Sequence, residues 1–145
     1  MAGPIYTAEA TVTGGRAEGH GVTSDDALDV QLRSPAEMGG EGGGTNPEQL
    51  FAVGYAACFE GALGVIARRE RVEPGDVSID SRVSLLPTAG RGFTIAVEMD
   101  VTLPEVADGA EAARLVAAAH EVCPYSNATR GNIDVTLTAN GAAVS

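Results

Sequence analysis

The stretch from Asn46 to about Arg71 decides what this chain can fold into. It reads NPEQLFAVGYAACFEGALGVIARRER. Asn46 suits a helix N-cap, Pro47 suits the first helical position, and Gln49 completes a capping-box pattern. Pro74-Gly75 ends the region. Between them the helix is apolar on most of its surface, through Phe51, Val53, Tyr55, Ala56, Ala57, Phe59, Ala62, Leu63, Val65 and Ile66. A helix with so many apolar faces has to be covered on several sides. A chain of 145 residues has little left to cover it with. A homodimer that buries this helix between two sheets would meet the requirement.

The remaining pattern supplies those sheets. Residues 4–12 alternate as a strand, Gly14-Gly15-Arg16 turns, and 19–24 returns. Leu28–Leu32 reads as a third strand, followed by a glycine-rich loop from Pro35 to Gly44. After the long helix, 77–86 and 92–103 are two alternating runs joined by PTAGRG, a hairpin pattern. Asp108 caps a helix over 110–122, and 132–139 is the last strand. The order is β-β-β-α-β-β-α-β. Strands grouped between helices predict an α+β fold with largely antiparallel sheets. Residues 1–145 read as one domain, with no linker and no internal repeat.

Charge narrows the function. The net charge is −11, from twenty acidic residues against nine basic ones, all arginine. Such a surface argues against nucleic acid and against an anionic membrane as partners. No apolar run reaches the ~18 residues of a membrane span. The opening MAGPIYTAEATV lacks the basic-then-apolar layout of a signal peptide, so a cytoplasmic location is expected.

The chain has two cysteines, Cys58 and Cys123, 65 residues apart. In a reducing compartment such a pair is more often catalytic, redox-sensing or metal-binding than a permanent brace. Cys58 falls inside the apolar helix, where burial raises a thiol's pKa. Left alone there, it is an inert packed hydrophobe; reactivity would need a nearby cation such as an arginine. Cys123 falls at the end of its helix, where the macrodipole disfavours a thiolate and Pro124 halts the helix. That asymmetry favours Cys58 as the attacking thiol and Cys123 as the resolving thiol on a segment able to move.

Other constellations are weaker. His120 and Cys123 have H-x-x-C spacing, a metal half-site without a second half. His20 in GHG reads as an exposed turn residue. GEGGG lacks the ending of a phosphate loop. Ser24 and Ser126 have no evident His-Asp partners, so a hydrolase is disfavoured.

Three segments together resemble one family. They are YTAEATVTGGRAEG, GGEGGGTNPEQLFAVGYAACFEGAL around Cys58, and EVCPYSNATRGNIDV around Cys123. The chain resembles the organic hydroperoxide resistance (Ohr) branch of the Ohr/OsmC superfamily over nearly its whole length. The VCPYSNATRGN stretch separates that branch from the OsmC branch.

The resemblance implies antiparallel sheets packed around long central helices in an intertwined homodimer. It implies a thiol peroxidase with Cys58 peroxidatic and Cys123 resolving. Arg16, in TGGR, would supply the cation, and Glu48, in NPEQ, would hold Arg16. The implied substrate is an organic hydroperoxide. No bound cofactor is implied; an external dithiol of lipoamide type, on a lipoylated protein, would recycle the disulfide. An apolar pocket with Phe59, Leu50 and Met38 among its walls would suit alkyl hydroperoxides. A broader OsmC-type peroxidase, a redox-sensing or binding module on the same fold, and a zinc protein using His120 and Cys123 are the competing readings.

Overall fold

The computed structural model describes residues 2–144. Its contacts separate into two compact units, residues 1–50 and 51–145.

The first unit is a three-stranded antiparallel sheet, β1 (Ala10–Thr13), β2 (Gly19–Thr23) and β3 (Asp29–Arg33), in the order β1-β2-β3. β1 is shorter than the 4–12 run suggests. β2 ends at Thr23, opposite Ala10, and the pairing finishes one residue on, where the Ser24 N–H donates to the Glu9 carbonyl at 2.9 Å. The Gly14-Gly15-Arg16 turn is a short helix, α1 (Gly15–Glu18). Gly14 and Gly15 sit at φ 76° and 71°, a region that side chains strain to enter. A Cβ on Gly14 would also meet the Glu18 carbonyl oxygen at 2.7 Å. A 3₁₀ turn, Ala36–Met38, interrupts the glycine-rich loop.

The long helix is α2 (Pro47–Glu70). Its start follows from the sequence: the Gln49 N–H donates to Asn46 Oδ1 at 2.9 Å. The reciprocal half of the capping box does not form, because Gln49 Oε1 accepts from the Thr45 hydroxyl instead, at 2.7 Å. Contrary to the expectation from run length, α2 is long and apolar enough to cross a membrane, with mean hydropathy 1.8 over its most apolar stretch. Its buried residues, however, are those of a core helix: Tyr55, Phe59, Ala62, Leu63, Ile66 and Ala67.

The second unit holds the core. A four-stranded sheet runs β4 (Ser78–Pro87), β5 (Phe93–Thr102), β6 (Val135–Ala139) and β7 (Ala142–Val144), in that order. β4 and β5 form the expected hairpin. β5 and β6 pair in parallel, because the chain crosses over through helices between them. Those helices are α3 (Gly109–Val122), capped by Asp108 through the Ala110 N–H, and α4 (Pro124–Thr129). Val97, Met99 and Val101 of β5 pack with Leu115, Val116 and Ala119 of α3 and with Tyr55, Phe59 and Leu63 of α2. Full burial of each large side chain contributes about 1.5–3 kcal/mol.

Three elements here differ from expectation. Pro124 does not simply stop a helix; it opens α4 at its first position, where the missing N–H costs nothing. The strand expected over 132–139 is β6, which begins only at Val135 because the Asn132 and Ile133 N–H groups close a turn on the Thr129 carbonyl, and a further strand, β7, follows it where none was expected. The architecture is the expected α+β, with antiparallel pairing dominant and a long central helix.

Candidate active site

Cys58 sits mid-helix on α2, one residue before the core residue Phe59, and is half-buried. Cys123 sits between α3 and α4 and is fully buried. It is therefore packed in place rather than carried on a loose helix end. Its backbone N–H donates to the Ala119 carbonyl and its own carbonyl accepts from Asn127. Both thiols are free, and their Sγ atoms are 3.6 Å apart. A disulfide bond is ~2.0 Å long, so the pair lies in contact but unbonded, and a small approach would join it.

Burial pushes the Cys58 thiol above its ordinary pKa. The Tyr125 backbone N–H acts in the opposite direction, by hydrogen bonding to the sulfur, and the neighbouring Cys123 thiol raises it further. Among the described residues, no cation is one of the groups that shift the Cys58 thiol. The sequence requirement for an added positive charge therefore stands.

Arg16 and Glu48 both lie in the first unit. Arg16 Nη1 donates to Glu48 Oε1 at 2.8 Å and Nη2 to Oε2 at 3.0 Å. This is a fork-on-fork pair, which fixes the plane of the guanidinium as well as its position. The Glu48 side chain is the more enclosed of the two, at 17% exposed against 38% for Arg16. The pair raises the Arg16 pKa further, chiefly through the hydrogen bond to Glu48. Glu48 occupies the first turn of α2, where a carboxylate also meets the favourable end of the helix dipole.

An open apolar cleft of about 610 Å³ lies in the second unit. Phe51, Leu85, Phe93, Ile95, Tyr125 and Ile133 supply most of its walls. Tyr125 gives its ring to this cleft and its backbone N–H to Cys58, so one residue links the cleft to the thiol. Phe51, Tyr55 and Tyr125 form an aromatic cluster with ring centroids 5.6–5.9 Å apart. Phe59, expected in such a wall, is fully buried in the core instead.

Several sequence expectations change here. Ser126 does have a histidine partner: His120 Nδ1 and Ser126 Oγ are 2.7 Å apart. Its second partner is the Tyr55 hydroxyl at 2.8 Å, so the group is a buried hydroxyl network and no nucleophile open to a substrate. The six-residue separation across the α3–α4 break hid this contact from spacing arguments. His20 is not in a turn; it lies in β2, with Nε2 2.6 Å from Asp29 Oδ1. Among the described residues, no group of three or more His, Cys, Asp or Glu side chains is gathered as a metal site.

Comparison with known proteins bears on this geometry. The family of OsmC-like proteins matches residues 40–138. An organic hydroperoxide resistance protein of Xanthomonas axonopodis pv. citri is 59% identical over 143 residues, covering 95% of this chain and 99% of that protein. The crystal structure of an organic hydroperoxide resistance protein of Legionella pneumophila is 50% identical, with a TM-score of 0.88, covering 93% of this chain and 97% of that one. The crystal structure of the organic hydroperoxide resistance protein OhrB of Bacillus subtilis is 47% identical, with a TM-score of 0.84, over 93% and 98% of the two chains.

Proposed function

The chain belongs to the OsmC family, in its organic hydroperoxide resistance branch, and on that premise we propose that it is a thiol peroxidase that reduces organic hydroperoxides. The observation that carries the proposal is the pair of free thiols 3.6 Å apart, one half-buried and hydrogen-bonded to the backbone of Tyr125, a wall of the apolar cleft, and the other fully buried.

The Cys58 thiolate attacks the outer oxygen of ROOH. An S–O bond forms and the O–O bond breaks; the departing alkoxide takes up a proton and leaves as ROH. Cys58 is now a sulfenic acid. The Cys123 thiol attacks that sulfur, an S–S bond forms, and the hydroxyl leaves as water. An external dithiol then exchanges with the disulfide, restoring both thiols and becoming oxidised itself. We assign that role to a lipoyl-type dithiol carried on a protein.

Burial alone leaves Cys58 protonated too often for this chemistry. The Tyr125 N–H offsets part of that, and we assign the remaining stabilisation to Arg16, held in one plane by Glu48. A guanidinium also stabilises charge developing on the peroxide oxygens in the transition state. The apolar cleft suits the organic group of ROOH better than it suits hydrogen peroxide, which has no carbon chain to bury.

We further propose a homodimer working in the cytoplasm. Val53, Ala57 and Gly61 lie along one exposed face of α2. Among the described residues of the first unit Leu32 is the one core hydrophobic, while Ile5, Tyr6, Val12, Leu28 and Met38 are exposed. A second copy would cover such surface.

Stopped-flow kinetics with an organic hydroperoxide, hydrogen peroxide and dihydrolipoamide test the function. Repeated turnover with preference for the organic substrate is the expected result. Consumption of a single equivalent, with no recycling by any dithiol, would indicate a redox sensor instead.

A further inference from the structure

The thiol pair rests on a hydroxyl network that peroxide chemistry does not itself require. Tyr55 Oη lies 2.8 Å from Ser126 Oγ and 3.1 Å from Thr129 Oγ1. Ser126 Oγ lies 2.7 Å from His120 Nδ1. Tyr55 and Ser126 are fully buried and Thr129 nearly so.

The network joins α2, α3 and α4, the three helices that carry the two cysteines. Its members flank the thiols at matching spacing. Tyr55 precedes Cys58 by one helical turn on α2. His120 precedes Cys123 by three residues at the end of α3, and Ser126 follows it by three in the first turn of α4. Ser126 therefore ties both sides of the Cys123 corner to the helix that bears Cys58. Arg130 closes the same corner from outside, donating to the His120 carbonyl and to Asn127 Oδ1.

Packing alone does not account for this arrangement. A buried hydroxyl without a partner destabilises the fold, and Ser126 would be tolerated more simply as alanine beneath α4. What the hydroxyl adds is a directional link between α2 and the α3–α4 corner. A disulfide forms at a rate set by how often its sulfurs meet in line, and small losses of positioning reduce effective concentration sharply. A network whose members polarise one another holds such a corner more firmly than apolar contact does.

We propose that Ser126, with Tyr55 as its partner, is a positioning residue for disulfide closure: it holds Cys123 against Cys58 so that the sulfenic acid is captured before it reacts further. The inference rests on the peroxidase reading for its kinetic part. Its equilibrium part, the stability of the Cys58–Cys123 disulfide, does not.

The test compares the wild type with Ser126→Ala, Tyr55→Phe and the double variant. Single-turnover reaction with an organic hydroperoxide separates the first step from disulfide closure, and dimedone trapping measures the sulfenic acid that escapes. In parallel, a dithiothreitol redox buffer gives the disulfide's equilibrium constant without any peroxide. In each single variant the first step should stay within about twofold, while closure slows about tenfold or more. Trapped sulfenic acid should rise, and the disulfide equilibrium should fall about tenfold, ~30 mV for this two-electron couple. The double variant should be little worse than either single one.

Tyr55→Phe keeps the ring in the core, so it remains a fair test if Ser126→Ala folds poorly. Closure at the wild-type rate in Tyr55→Phe, or both steps slowing in equal proportion, overturns the proposal. A wild type that consumes no peroxide refutes the peroxidase function; the redox-buffer equilibrium still decides the positioning role, an unchanged constant in Tyr55→Phe counting against it.

Discussion

Arg16 and Glu48 face each other across two parallel hydrogen bonds of 2.8 and 3.0 Å, although 32 residues separate them in sequence. The Gly14-Gly15 turn presents the arginine and the first turn of α2 presents the carboxylate. If they act as one unit, their losses should not add. Arg16→Ala should slow the peroxide step by about 10²–10³-fold, the usual effect of losing one transition-state donor. Glu48→Ala should do less, since the guanidinium remains but loses its fixed plane. Once Arg16 is absent, removing Glu48 should change the rate little. Arg16→Lys should recover only part of the activity, because an ammonium lacks the planar fork. Rapid-mixing kinetics on the four variants check this; additive losses would separate the two residues.

The cysteines should fail differently. Cys58→Ser should abolish peroxide consumption. Cys123→Ser should still consume about one equivalent and stall as a sulfenic acid, or oxidise further at excess peroxide. Intact-mass measurement distinguishes these products by added oxygen. Because burial raises the Cys58 thiol, the first step should accelerate with rising pH as the thiolate fraction grows. Arg16→Ala should move that profile to higher pH.

The sequence was most legible where local chemistry decides local structure. Asn46, Pro47 and Gln49 mark the start of α2, and the alternation of 92–103 marks β5, because caps and period-2 burial act over a few residues. The Asn140-Gly141 turn into β7 was missed, since the last strand was expected to end at 139; yet Asn-Gly is a strong hairpin signal, and both residues do take positive φ. The α3–α4 corner was not legible. Pro124 serves equally as a helix stop and a helix start, and only packing of α4 decides between them. For the same reason the partnership of His120 with Ser126 is invisible in sequence, and Ser126 read as an isolated hydroxyl. Arg16 could be singled out from nine arginines only by family resemblance, since nothing in its spacing points to Glu48.

His120 gives the fold a dependence on acid. Burial, with Arg130 adding to it, holds its pKa below the ordinary 6.5, while Glu121 acts weakly the other way. The unfolded chain therefore binds this proton more readily than the folded one. Its contribution to stability is intact above about pH 6.5 and is lost as pH falls through the folded pKa. The melting temperature should decline from near pH 6.5 downward, and His120→Gln should flatten that decline. Thermal melts at several pH values measure it; identical slopes in both proteins would remove His120 from the account.

Gly54 separates stability from substrate fit. A Cβ there would meet Tyr125 Oη at 3.2 Å and two ring carbons at 3.6 Å. Alanine in a helix interior is favoured over glycine by about 0.8–1 kcal/mol. The contact is with the far end of a half-exposed ring, which can swing by a few tenths of an ångström. Gly54→Ala should therefore leave the melting temperature equal or higher, while the displaced Tyr125 reshapes the cleft. KM for a bulky hydroperoxide should change more than KM for a small one. Equal changes for both would disconnect this ring from substrate binding.

Gly61 decides whether the exposed face of α2 is free or covered. A Cβ at Gly61 meets nothing within 4 Å, and its neighbours on that face, Ala57 and Val53, are also exposed. In an isolated chain, Gly61→Ala would add helix propensity without a clash and stabilise by about 0.5–1 kcal/mol. In a homodimer that packs this face closely, even a methyl group would intrude, and overpacking of a well-packed site costs about 1–3 kcal/mol. The signs are opposite, so one variant discriminates. With the proposed dimer, the wild type should scatter light as twice its 14.7 kDa chain. Gly61→Leu should weaken that association at micromolar concentration, and at equal protein concentration it should melt below the wild type. A monomeric wild type whose Gly61→Ala variant melts higher would leave α2 uncovered and the homodimer without support.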